Sequence, residues 1–192
     1  SIDSDRIIIS SIGRLAKWKR VDLGIKVYAN MLEKIVNVYA ELLIVGDGKE
    51  ASILKKLVDS LGIKNKVSFI GGVDHNTALK YIAASDILLF FYEHSNVGNV
   101  LLESLCAGKA VLCRDTGDTA NFVEHGVNGL LVPNGSEEQI VSVGREYLAE
   151  MVVNFQKRSR LSHNAFAVSE KEIPCWEDRI FKEMTVIKTL LC

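Results

Sequence analysis

With 192 residues, 48% of them hydrophobic, 14 glycines and only 2 prolines, the chain has the length and apolar content for one globular domain with a sizeable core. Lys and Arg number 23 against 24 Asp and Glu, a formal charge of -1, so no overall field favours nucleic acid or an anionic membrane and any anion site must be local. Apolar runs such as 87-ILLFFY-92 fall far short of the roughly 20 residues of a membrane span, and the opening SIDSD is not a basic-apolar signal segment.

The first β-rich run, 6-RIIIS-10, and the helix-period stretch 22-DLGIKVYANMLEKI-35 form one βα unit. A second unit follows in strand 41-ELLIVG-46 and helix 50-EASILKKLVDSLG-62, whose Leu54, Leu57, Val58 and Leu61 share one face and whose Gly62 suits a C-cap. Strand 67-VSFIG-71, helix 75-HNTALKYIAA-84, strand 86-DILLFF-91, helix 98-GNVLLESLCAG-108 and strand 110-AVLCR-114 continue the alternation. Such alternation predicts an α/β, Rossmann-like parallel sheet covered by helices on both faces. After 128-NGLLVP-133 come long helical stretches, Glu137 to Met151 and Val153 to Ala167, and a last helix near 176-WEDRIFKEMTVIKTLL-191. The chain therefore reads as a single domain over 1–192, with core βα units over 1–133 and a helical segment over 134–192. Cys106, Cys113, Cys175 and Cys192 show no C-x-x-C pairing and read as structural thiols of a reducing cytosol, the first two as small core residues.

In open parallel sheets the ligand crevice lies outside the carboxyl ends of the strands, which directs attention to the loops 11-SIGRLAKWK-19, 46-GDGK-49, 71-GGVDH-75, 92-YEHSNVG-98 and 115-DTGDTA-120. Arg14 and Lys19 offer a planar fork and a point charge to an anion, although taken alone they read more readily as solvated loop charges. If Gly98 starts a helix, the N–H groups of Asn99, Val100 and Leu101 face a phosphate, and glycine lets that ligand approach the backbone. Glu103, about one and a half turns inside, is too deep to cap the helix and within reach of sugar hydroxyls. Its plainer reading is a carboxylate stabilised near a helix N-terminus. A competing motif, 46-GDGKEA-51, matches the dinucleotide-binding G-x-G-x-x-A turn, but the acid expected about 20 residues on is missing until Asp74, and Asp47 would repel a pyrophosphate. His75, His94, His125 and His163 lack metal-ligand spacing, and no G-x-S-x-G or Cys–His signature appears, so no metal or hydrolase site is expected.

Taken in order, 13-GRLAKWKRVDLGIKVY-28, 42-LLIVGDGKE-50, 67-VSFIGGV-73, 98-GNVLLESLCAGKAVL-112 and 126-GVNGLLVP-133 resemble the C-terminal, donor-binding domain of retaining GT-B glycosyltransferases of family 4. The resemblance covers Arg6 to Pro133 closely and reaches the end of the chain through Trp176, which looks like the aromatic of that family's closing helix. It implies the C-terminal half of a GT-B enzyme with extra C-terminal helices, moving a sugar from a nucleoside-diphosphate sugar to an acceptor with retention. By this resemblance the catalytic set is Arg14 and Lys19, on the donor diphosphate, and Glu103, on the ribose hydroxyls. By the same resemblance the amides of Asn99, Val100 and Leu101 contact phosphate, the segment Phe69 to Val73, Gly71 included, lines the nucleobase pocket largely through backbone groups with Gly46 and Asp47 nearby, and Gly13 and Gly98 belong to the donor-binding set.

Two departures stand out. Ser95 occupies the place of the first acid of the family's Glu-x7-Glu, where it could hydrogen-bond the transferred sugar, and Glu93 is two residues off register. The loop 115-DTGDTANFV-123 carries Asp118, Ala120 and Asn121 where Gly-Gly followed by Pro-Glu is common, which reads as specialisation. The resemblance implies a UDP- or GDP-sugar donor, no cofactor, no metal and no nucleic-acid partner. It assigns the acceptor, whether glycan, lipid, protein or small metabolite, to an N-terminal domain or partner subunit absent from this chain, whose non-Met start suggests an excised piece or a paired subunit. The expected location is cytoplasmic, or peripheral to the inner face of a membrane through the missing half. Two other readings stay open: a non-catalytic nucleotide-sugar-binding or regulatory module, and an NAD-type dinucleotide-binding domain built on Gly46 and Gly48.

Overall fold

The computed structural model describes residues 6–35, 38–94, 97–173 and 184. Six strands, β1 (Ile7–Ile12), β2 (Ala40–Val45), β3 (Val67–Gly71), β4 (Ile87–Phe90), β5 (Ala110–Arg114) and β6 (Leu130–Val132), pair in parallel in the order β3-β2-β1-β4-β5-β6. The helices are α1 (Val21–Lys34), α2 (Ala51–Ser60), α3 (His75–Ala84), α4 (Asn99–Cys106), α5 (Glu137–Val153) and α6 (Phe155–Glu172). Strands of this sheet read as unbroken apolar runs because both faces are buried. Ile9, Leu42, Ile44, Leu89 and Leu112 pack with residues of α1, α2 and α5 in one core. Ile12, Val45, Leu88, Phe90 and Val111 pack in a second core with Ile82 of α3, Leu101 and Leu105 of α4 and Ala165 of α6.

The expected alternation of elements is the one observed, with helix boundaries set by local caps. Ser136 and Gln139 close a capping box at the start of α5. Val153, expected to open the next helix, instead ends α5, because the side chain of Asn154 accepts the Lys157 N–H (2.9 Å) and restarts the helix at Phe155. Cys113 is fully buried as expected, whereas Cys106 is exposed on the outer side of α4, so its apolar surroundings in sequence did not make it a core residue. Trp176 and the rest of the expected last helix, Met184 excepted, lie outside the described residues, as do Cys175 and Cys192.

Between β1 and β4 the strand order reverses direction. Only two residue pairs join these strands, Ile9 with Ile87 and Ser10 with Leu88, although β1 continues to Ile12 and β4 to Phe90. Side chains reinforce the short ladder at its amino end. Asp86 donates its N–H to Ile8 O (2.8 Å) and accepts the Ile8 N–H on its carboxylate (2.8 Å). The Ser85 hydroxyl donates to Tyr81 O (2.6 Å), so the buried 2.6 Å contact between the two serines has Ser10 as donor and Ser85 as acceptor. Beyond Ser10 and Leu88 the two strands part, and the loops that follow them diverge around a crevice.

The turn after β2 is held against the loop after β1. Gly46 donates to Gly71 O (2.8 Å), Leu15 N–H to Asp47 O (2.9 Å) and Glu50 N–H to Leu15 O (3.2 Å). A Cβ on Gly46, whose φ is +135°, would overlap the Gly13 carbonyl, and one on Gly48 would overlap the Leu15 carbonyl. These glycines therefore serve loop-to-loop packing. Asp47 adds that its own carboxylate takes the Gly48 N–H (2.7 Å), the group a dinucleotide pyrophosphate would need, which removes the support for the G-x-G-x-x-A reading. Gly46→Ala is expected to cost about 3 kcal/mol or more in urea denaturation, against about 1 kcal/mol for Gly62→Ala. Gly62 also has positive φ (+68°) but stands in open space, so equal losses would contradict the packing role.

Candidate functional site

Lys19 occupies the middle of the crevice. It ends a short 3-10 turn, Lys17–Lys19, that follows β1, and its ammonium lies 3.7 Å from the ring centroid of Tyr92 and 4.3 Å from that of Trp18. The two rings meet edge to face, 5.8 Å apart at 61°. The Glu93 N–H donates to Trp18 O (2.8 Å), which ties the loop after β4 to the loop after β1. Two aromatic faces attract a cation but supply no hydrogen-bond acceptor, so the ammonium keeps its donors for another partner. Desolvation in this box, with a smaller push from the Arg14 guanidinium, lowers the Lys19 pKa to about 8. Arg14 itself is exposed beside Gly13 at the crevice mouth.

The opposite wall is the start of α4. Gly98 is its N-cap in extended backbone with no side-chain cap, and a Cβ there would stand 3.5 Å from Lys19 Nζ, in the space an anion shared by the helix and the lysine would enter. Asn99 and Val100 open the helix as expected. Leu101 departs from expectation: its N–H is spent on Gly98 O (3.0 Å) and its side chain is buried, so its amide is not free for a ligand. Just ahead, Val97 holds φ at +48°, a costly conformation for a β-branched residue and a mark of a constrained entry to the helix.

Glu103 lies deeper on α4, its side chain 24% exposed, with the His75 imidazole 3.7 Å from its carboxylate. His75 opens α3, which Asp74 caps by accepting the Thr77 N–H (3.0 Å), so the α3 start and Glu103 converge on one rim of the crevice. On the β2–β3 side, Gly72 lies against Asp47 and Gly71 bridges to Gly46, while Val73 packs into the second core. Phe69 turns its ring under α2, into a groove with Lys55 and Val58. Ser95 lies outside the described residues.

Three residues near the crevice carried no expected role. Tyr92 forms one side of the lysine box, and its hydroxyl is buried with no partner among the described residues. Arg114 Nη1 is the other buried polar side-chain atom without a partner among the described residues. Trp18 is half-exposed on the crevice wall. A tryptophan beside a lysine in a post-strand loop and a tyrosine ending an apolar strand were the available signals, and neither is distinctive until the fold brings them together. Among the described residues no group of three or more His, Cys, Asp or Glu could hold a metal ion, and no helix is long and apolar enough to cross a membrane.

A six-stranded parallel sheet in this order, covered by helices on both faces, defines a Rossmann-like domain. The family model described as "Glycosyl transferases group 1" matches residues 1–168, and the chain belongs to that family. It is 31% identical over 166 residues to the uncharacterized glycosyltransferase MJ1069 of Methanocaldococcus jannaschii, covering 84% of this chain and 40% of that protein. It is 30% identical over 177 residues to N-acetyl-alpha-D-glucosaminyl L-malate synthase of Bacillus anthracis, covering 91% of this chain and 45% of that one. The chain thus spans less than half the length of these relatives. The crystal structure of the pneumococcal O-GlcNAc transferase GtfA in complex with UDP and GlcNAc superposes with a TM-score of 0.84 at 18% identity, over 96% of this chain and 36% of that one, and so shares the fold.

The Lys19 box is open to direct titration. Followed by NMR at its ε-methylene, Lys19 is expected to titrate near pH 8, and both Arg14→Ala and Trp18→Ala should raise the midpoint. A midpoint at the ordinary value of 10.5 in the wild-type protein would mean that the box does not form.

Proposed function

We propose that this chain is the nucleotide-sugar-binding half of a retaining glycosyltransferase of the GT-B, family 4 type. The observation that carries the reading is the Lys19 ammonium, boxed by Trp18 and Tyr92 and aimed at the uncapped start of α4. A diphosphate there meets a point charge, the Arg14 fork and the positive end of a helix at once. The negative charge of a departing nucleoside diphosphate grows at that place, and donors held ready for it lower the barrier without reorganising at the moment of reaction. Glu103 accepts ribose hydroxyls, with His75 at the same rim, and the backbone around Gly46 and Gly71 borders the base. These cations do the work that a divalent ion does elsewhere.

The donor is a UDP- or GDP-sugar. Relatives named for sugar transfer, and a structural neighbour that binds UDP, support this assignment. The acceptor belongs to chain outside this domain, and the protein works in the cytoplasm.

Calorimetric titration with UDP, GDP, ADP and NAD, with and without magnesium, tests the reading. One nucleoside diphosphate should bind without metal, and Arg14→Ala and Lys19→Gln should each weaken it by about tenfold or more. NAD binding in its place would overturn the assignment. The pH dependence has a definite sign. Free Lys19 loses its proton around pH 8, whereas a bound diphosphate holds the lysine charged, so the complex carries more protons than the free protein above that pH. Affinity should fall as pH rises through 8, by up to about tenfold per unit, and Lys19→Gln should flatten the profile.

A further inference from the structure

Beside the Lys19 box lies a pocket of about 630 Å³ lined by Trp18, Glu93, His94, Arg114, Thr116 and Asn134, together with Gly117. It sits at the carboxyl ends of β1, β4 and β5, and Trp18 is the wall it shares with Lys19. Any group attached to a phosphate held at Lys19 can enter it around the indole edge.

Arg114 sets the chemistry of this pocket. Its Nε donates to Asn134 Oδ1 (2.9 Å), and the Asn134 amide is in turn anchored on the Asp115 carbonyl, which fixes the guanidinium plane. No carboxylate among the described residues pairs with it, and Nη1 is buried without an acceptor. A half-buried guanidinium that lacks a counterion is costly, and with Nε bonded to Asn134 and Nη1 buried its Nη2 is left to give a carboxylate a charge-assisted hydrogen bond. Thr116 does not compete for the ligand, because its hydroxyl donates to Tyr92 O (3.1 Å) and locks the loop after β5 to the end of β4. Glu93, on the same wall, disfavours a dianion such as a phosphate more than a monoanion, and it accepts hydroxyl protons. Trp18 offers an apolar surface to the C–H face of a ring.

We propose that this pocket is a subsite for a carboxylate-bearing pyranose, with Arg114 as the residue that selects the acidic sugar. The inference rests on the donor-binding reading above. The carboxylate can arrive on the donor's own sugar or on a separate acceptor, and the two sources differ in whether the ring is bonded to the diphosphate held at Lys19.

The test is calorimetry on the wild-type protein, Arg114→Gln and Arg114→Lys. The probes are the matched pairs UDP-glucose and UDP-glucuronate, GDP-mannose and GDP-mannuronate, with UDP, GDP and free glucuronate as separate titrants. A uronyl donor predicts that one acidic nucleotide sugar binds at least about tenfold tighter than its neutral partner. Arg114→Gln should abolish that ratio, Arg114→Lys should retain part of it, and affinity for the bare nucleoside diphosphate should be unchanged, which also reports an intact fold. A uronate acceptor predicts equal binding within each pair but binding of free glucuronate to the diphosphate complex, lost in Arg114→Gln. Diphosphate binding with equal affinity within each pair and no binding of free glucuronate to the diphosphate complex, or uronate binding by either route that survives Arg114→Gln, overturns the subsite and leaves the donor reading standing. Absence of any nucleoside-diphosphate binding overturns the donor reading and the subsite with it.

Discussion

Two residue pairs hold β1 to β4, and the rest of the site follows from where that ladder stops. The ordered amino end, with its Ser10–Ser85 hydroxyl contact and the double use of Asp86, keeps the seam closed on one side of the sheet. On the other side β1 pairs only with β2 and β4 only with β5, so the chain leaving β1 and the chain leaving β4 must meet across open space. They find each other through the Glu93 to Trp18 backbone bond and the stacking of Trp18, Lys19 and Tyr92. A fully zipped ladder would have brought these loops side by side and left no crevice between them.

The box built this way stores electrostatic cost. A lysine in partly buried aromatic surroundings gives up hydration for cation–π attraction alone, and the lowered pKa measures how much better the charged form fares in water. Val97 adds backbone strain at the helix entry, and the Tyr92 hydroxyl and Arg114 Nη1 add two buried donors with no partner among the described residues. Strain and unsatisfied groups concentrate where a ligand relieves them, and here they concentrate along one edge of the sheet, from β1 to β5. The two apolar cores, by contrast, are regular, and they supply the stability that lets the crevice be imperfect.

Much of this was legible in the sequence. Strand and helix alternation identified the parallel sheet, because fully buried strands leave unbroken apolar runs and each helix keeps a 3.6-residue stripe. The ordered motifs put Arg14, Lys19, Glu103 and the α4 start in one crevice, and the fold does assemble them at the point where strand order reverses. Pairing partners created only by folding were illegible. Trp18 and Tyr92 lie far apart in the chain and carry no spacing rule, and Arg114 looked like the polar end of a strand. The opposite error arose at Leu101, where membership in a motif hid the fact that a first-turn amide bonds back to its own cap. Gly46 and Gly48 looked like phosphate glycines, yet a loop from elsewhere in the sheet takes up the space they leave.

The seam also orders events in time. On a ribosome the half-sheet β3-β2-β1, with α1 and α2, can assemble from the first 71 residues, each strand meeting a neighbour made shortly before or after it. Its outer edge at β1 then stays open until β4 emerges, and β4 brings with it the helices that cover the second core. The crevice between the loops after β1 and β4 is therefore absent from either half-sheet alone and comes into being only when they join. A nascent or nicked chain could hold most of its hydrogen-bonded ladder and still have no crevice, which makes the contact of Lys19 with Tyr92 a reporter of the completed seam rather than of folding in general.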